Sequence, residues 1–402
     1  MRIAGPTWAR SLGDEALRLF FPLAALHAAL WPLLWVGVLR LDLPLAQTAP
    51  SSLWHAHEMA IGSFGAALLG YVLTAAPEWT GLSRPRGRRL FMLAGLWGVG
   101  RFIGLLGADA VGGLGAAVDL IWLGAVVVYL GLASLRGRTS QLRGFLLWAA
   151  VLWNCELTIR FGFLTGDALL ASRGLRLALL ALAALLGLAL SRIAPAVINR
   201  ILDPTLQTTP FRPHPGRRNL APILIGVVVA AQIVGVSPAV NGFLLIAAGA
   251  AFLGKAGEAF VGRAALRSEI MGLTGASAAT GAGLILMGLA GMDGRFPELA
   301  GVHLLSMGGL GLGVLAVFAV AGRLHTGRAL DADSAVGGAF ALLSAAAASR
   351  TLAAFALPEM DAGVLHLFAS ATWAGAFLLW LYRFWPWLSE PPRPREESDS
   401  TA

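Results

Sequence analysis

Charge is scarce in this 402-residue chain. Asp, Glu, Lys and Arg together make up 13% of it, where an ordinary soluble domain carries roughly 25%. So little charge excludes a string of water-soluble domains, and most of the surface must face lipid or other helices. Cysteine is nearly missing: the single Cys155 lies in an apolar stretch, which excludes a disulfide framework and a cysteine-based zinc site. The net charge of +8 comes almost entirely from arginines scattered between apolar segments, with no basic domain of the kind nucleic acid requires. A convincing cleavage site is also lacking. Arginines precede the first apolar run, but that run is about twenty residues long and is expected to stay as a first span.

What is present is apolar. Hydrophobic residues make up 57% of the chain, and the mean hydropathy is +0.73. Fifty glycines suit helices that must approach closely, because lipid supplies no hydrophobic force between them. Apolar runs bounded by Arg, Pro, Asp or Gly-rich breaks fall at 17–39, 54–77, 89–107, 113–134, 143–164, 174–199, 219–235, 238–260, 269–290, 299–322, 334–357 and 362–387. The expected fold is all-α, a polytopic membrane bundle of about twelve transmembrane helices forming one domain over residues 1–388. The division between the seventh and eighth spans rests on Val236-Ser237-Pro238 alone. A proline-rich connection over 200–218 separates two sets of six spans, and residues 389–402 read as a disordered cytoplasmic tail.

Lys and Arg accumulate in cytoplasmic loops. Twenty arginines fall at one set of span ends, against Arg40, Arg173, Arg176 and Arg295 at the other. The asymmetry alternates loop by loop and puts both termini in the cytoplasm.

Ionisable groups at membrane depth are costly and usually face the bundle interior. With this topology His55, His57, His303 and His366 share one depth in the outer third of the membrane. Arg101, Arg160 and Arg350 lie at the same level, while His27 sits near the middle of the first span. Such a layer suits haem b, with imidazole on the iron and arginines pairing with the propionates. Within Trp54-His55-Ala56-His57-Glu58-Met59, residues two apart on a helix point about 200° apart, so His55 and His57 are expected to serve two centres. Copper is the natural second metal. Met59 lies one turn after His55 and Met307 one turn after His303, while His366 follows Met360; all three methionines are soft-ligand candidates. Glu58 is the candidate catalytic residue, orienting an imidazole or moving a proton. Glu156 and Arg160, four apart, read as a buried pair, and Lys255 with Glu258 as a local one.

The segment Trp54-His55-Ala56-His57-Glu58-Met59, followed by Gly70-Tyr71-Val72-Leu73-Thr74-Ala75-Ala76-Pro77-Glu78-Trp79-Thr80-Gly81, closely resembles the signature of the NnrS family. Arg18 to Leu26, His303 to Met307 and His325-Thr326-Gly327-Arg328 agree with it. Glu78 and Ala76 depart from the residues common there. The resemblance implies a haem- and copper-containing protein of the bacterial inner membrane, multi-pass, associated with denitrification and with tolerance of nitric oxide. By motif it carries His55, His57 and Glu58 to the metal region, with His303 next, and leaves His325 a loop role. Nitric oxide is then the expected ligand, and a respiratory-chain electron donor the partner if it is turned over. The alternatives are a transporter of copper or of an iron–nitrosyl species, and an assembly partner of a respiratory complex.

Overall fold

The computed structural model describes residues 7–41, 49–107, 109–355 and 361–391, and among these every regular element is helical. A short helix α1 (Thr7–Asp14) leads into α2 (Ala16–Leu41). The second span, Ser51–Thr80, is α3 (Ser51–His57) and α4 (Phe64–Thr80) joined by a π-helical turn, Glu58–Ser63. Then come α5 (Arg88–Leu106), α6 (Gly112–Arg136), α7 (Arg143–Thr165) and α8 (Ala168–Leu202). The later half holds α9 (Leu220–Val234), α10 (Pro238–Glu258) and α11 (Ser268–Asp293). Next is a second interrupted span, Glu298–Leu324, in which the π turn Leu304–Gly311 joins α12 (Glu298–His303) to α13 (Leu312–Leu324). The last two helices are α14 (Ser334–Ala354) and α15 (Ala362–Ser389).

Among the described residues, eleven helices are long and apolar enough to cross a membrane, and the chain is a membrane protein. The remaining long helix, α7, has comparable length at 23 residues but carries Glu156 and Arg160. The expected spans coincide with these helices to within a few residues. α9 and α10 do separate where expected. Gly235 ends α9 in the left-handed conformation at φ 74°, Ser237 caps α10 by accepting from Val240 N–H, and Pro238 opens it.

Three spans are the most buried and form the centre: Ser51–Thr80, Ala168–Leu202 and Glu298–Leu324. Around them α2 packs on α4 and α15, α7 on α6 and α8, and α14 on α15. Glycine sets the closest approach, between α10 and α11. A Cβ on Gly249 would stand 2.5 Å from the Gly281 carbonyl oxygen, and one on Gly288 2.6 Å from that of Gly242.

The first and last spans, α2 and α15, are fastened together. The Trp373 indole donates to the Ala28 carbonyl at 2.8 Å, and Arg18, 2% exposed, donates to the carbonyls of Leu388 and Glu390 at 3.0 and 2.8 Å. Part of the expected disordered tail is therefore held: Ser389 completes α15 and Glu390 is bonded, while residues 392–402 lie outside the described residues, as does Met360. The expected Lys255–Glu258 pair is replaced by other bonds. Lys255 donates to the Gly187 carbonyl and the Ser191 hydroxyl of α8, and Glu258 accepts from Arg217 at 3.4 Å.

At the same end of the bundle Glu15 accepts from Arg84, which also reaches Glu78 at 2.8 Å, and pairs with His325 Nδ1 at 2.9 Å. His325 is thus bonded within the protein, at the end of the bundle away from the histidine layer. Burial pushes the Glu15 carboxyl up, but the hydrogen bond and charge of His325, with Arg84 and Arg18, hold it below its ordinary value. A depressed carboxylate contributes stability above its unfolded value and loses it as pH falls through the folded one. Detergent-solubilised protein is expected to lose thermal stability as pH drops below about 4.5, and Glu15→Gln to flatten that dependence. Gly249→Val is expected to push α10 and α11 apart, costing about 1–3 kcal/mol in thermal or denaturant unfolding.

Candidate cofactor cavity and buried ion network

Both interrupted spans widen directly after a histidine: Glu58–Ser63 follows His57, and Leu304–Gly311 follows His303. A π turn inserts a residue into a helix and re-aims the side chains around it, which is why such turns gather at functional sites. The first is held by α5, whose Trp97 indole donates to the Gly62 carbonyl at 3.0 Å, while Trp54 donates to the Gly104 carbonyl at 2.9 Å.

Between the interrupted spans, beside the start of α8, lies a cavity of about 440 Å³, within the roughly 300–1,000 Å³ usual for small-molecule sites. His55 and Met59 enter it from the second span, His303 and Met307 from the span Glu298–Leu324, Arg350 from α14 and His366 from α15. Leu53, Val302, Trp35 and Trp373 supply apolar wall. The His303 Nδ1–H donates to the Leu299 carbonyl at 2.8 Å, which leaves the Nε2 lone pair for a ligand. A metal-binding imidazole is commonly fixed in this way. His55 stacks on Trp35, with ring centroids 5.0 Å apart, and its buried Nδ1 has no hydrogen-bond partner in the protein. Imidazole nitrogens together with thioether sulfurs are a donor set for iron and for Cu(I), and a guanidinium is the group that pairs with an acidic substituent.

The other half of the expected layer is somewhere else. His57, Glu58, Arg101 and Arg160 do not line the cavity; with His27, Asp119 and Glu156 they form a closed network among α2, α3, α5, α6 and α7. Asp119, fully buried, accepts from both Arg101 and Arg160, and from the Trp122 indole at 2.8 Å. Arg101 also donates to Glu58 at 3.0 Å, and Arg160 to Glu156 at 2.7 Å. The His57 nitrogens face Glu58 at 3.3 Å and Glu156 at 3.1 Å, while His27 bridges Glu58 at 3.2 Å and Ser63 at 2.8 Å. Small residues make the room: a Cβ at Gly104 would lie 2.7 Å from Glu58 Oε1 and one at Gly100 would collide with Asp119.

Three carboxylates meet two guanidiniums here. Both His57 nitrogens face carboxylate oxygens. His57, Asp119 and Glu156 could in principle converge on a metal ion, but Arg101 and Arg160 already stand among them as the cations. The network's chemistry is that of a packed ion cluster.

The expected single layer of four histidines and three arginines therefore divides. His55, His303, His366, Met59, Met307 and Arg350 share the cavity, whereas Arg101 and Arg160, read as partners for acidic substituents, are committed to protein carboxylates. The opposed directions expected for His55 and His57 hold. The sequence reading missed Asp119, although an aspartate inside the apolar run 113–134 is itself the signal.

These features define an all-helical membrane protein with a histidine- and methionine-lined cavity beside a buried ion cluster. The family model described as NnrS protein matches residues 12–392, and the chain belongs to the NnrS family. No curated protein matches it.

Removing one member of a buried ion pair strands its partners. Asp119→Asn is expected to destabilise the detergent-solubilised protein by about 3–5 kcal/mol, read as loss of folded yield and of thermal midpoint.

Proposed function

We propose that this chain is a haem b- and copper-binding protein of the bacterial inner membrane that binds or processes nitric oxide and protects against nitrosative stress during denitrification. It crosses the membrane twelve times, α7 included, with both termini cytoplasmic and the cavity toward the outer side. The observation that carries this reading is the convergence of His55, His303 and His366, with Met59, Met307 and Arg350, on one cavity from four separate spans.

The residues present fit the cofactors. His303, held in one tautomer by Leu299, and His55, braced on Trp35 with an unmet nitrogen, are the groups that would hold iron. Met59 and Met307, with His366, would supply the softer donors for copper. Arg350 would pair with an acidic substituent of haem. A bound ferrous haem supplies an iron that takes a diatomic ligand. The protein's own part is to fix the imidazoles and keep bulk water from the apolar walls, while a respiratory-chain donor supplies electrons wherever turnover occurs. Glu58 is bonded to His27, His57 and Arg101, and its contribution is to anchor the histidine segment.

Transport is less well supported. Asn154, one of the few polar residues at mid-span, is exposed on the outer face of the bundle and bonded within its own helix, to the Ala150 carbonyl, and the others are locked into the ion cluster.

The test is to purify the protein in detergent and record reduced-minus-oxidised spectra with and without nitric oxide, measuring iron and copper in the same samples. His303→Ala and His55→Ala are expected to fold but to lose haem, copper or both. His57→Ala is expected to lower the yield of folded protein while leaving metal per folded molecule unchanged. Well-folded wild type carrying neither metal would overturn the reading.

A further inference from the structure

A second cavity lies along the same three central helices, and Phe64 lines both. On the second span the lining passes from Met59 and Ala60 to Ala67 and Tyr71; on α8, from Leu175 and Leu179 to Leu182 and Leu186; on the span Glu298–Leu324, from His303 and Met307 to Leu310 and Val317. The order is the same on each, so the three helices run parallel and the second cavity continues the first more deeply into the bundle. In both interrupted spans the π turn falls where the lining passes from one cavity to the next.

The second cavity measures about 60 Å³, several times the roughly 10–15 Å³ that one water needs. Water nevertheless has nothing to hold it. The Tyr71 hydroxyl is the only polar side-chain group in the lining, and a buried water needs two to four polar partners. That hydroxyl is itself buried without a hydrogen-bond partner in the protein. A space large enough for a few atoms, and too apolar for water, favours small molecules that partition into hydrocarbon.

We propose that this inner cavity is a docking site for a small, weakly polar gas of the nitric oxide class, one phenyl ring away from the cofactor cavity. The proposal rests on the nitric oxide reading above for its ligand, but not for its existence. Gas dissolved in the bilayer collects beside the cavity that holds the imidazoles, and Phe64, 5% exposed, is the residue that lines both. Ala67, 4% exposed, is the position at which a larger side chain fills the inner space.

Two measurements test this. A structure of wild-type protein under xenon pressure is expected to show xenon between Ala67, Leu186 and Val317, whether or not haem is bound. Flash photolysis of carbon monoxide from the reduced wild type is then compared with Ala67→Phe and with wild type under xenon. Both are expected to slow rebinding severalfold with an unchanged haem spectrum, and Phe64→Leu to speed it. Xenon absent from the inner cavity would overturn the proposal. So would xenon present there with rebinding unaltered both by xenon on wild type, which needs no mutation, and by Ala67→Phe. A protein without haem that still takes up xenon would sink the proposed function and leave the gas site standing.

Discussion

One buried carboxylate organises the first half of this bundle. Asp119 accepts from two arginines on two other helices, and each arginine reaches a further carboxylate, so four spans are fixed by interactions that cannot be exchanged for water. In hydrocarbon an unpaired member of such a set is far more costly than at a protein surface, which makes the arrangement all-or-none. Within the cluster His57 and Glu58 are bonded to other protein groups. By gripping one side of the second span it also directs His55, two residues earlier, to the opposite side.

The two interrupted spans complete that division. A regular helix through residues 51–80 could not at once present Glu58 to α5 and Met59 with Phe64 to the cavities; the wide turn at Glu58–Ser63 absorbs the extra residue. The span Glu298–Leu324 repeats the device after His303, which is fixed by its own backbone at Leu299 instead. Two histidines approach one space by different routes, one held from behind by charge and the other by a carbonyl.

Much of this was legible before any coordinates. Span positions followed from apolar runs because lipid admits only backbone that satisfies its own hydrogen bonds, and the break between α9 and α10 followed from Ser237 and Pro238. The shared end of the four histidines and three arginines was legible too, since depth follows from position along a span. Azimuth was not. Which helices are neighbours decides whether Arg101 meets a propionate or Asp119, and a single sequence gives depth without angle. The split of His55 from His57 was legible because helical geometry alone requires it. The π turns were invisible, since no composition rule marks the extra residue.

The fastening of α2 to α15 through Arg18 and Trp373 bears on how the protein is made. α2 emerges from the ribosome long before α15, so the Leu388 and Glu390 carbonyls that Arg18 bonds are made late in synthesis. Until then the bundle has an open seam. His366 arrives on that final helix, after His55 and His303 are already in the membrane. The lining of the cavity is therefore incomplete until that final helix has packed.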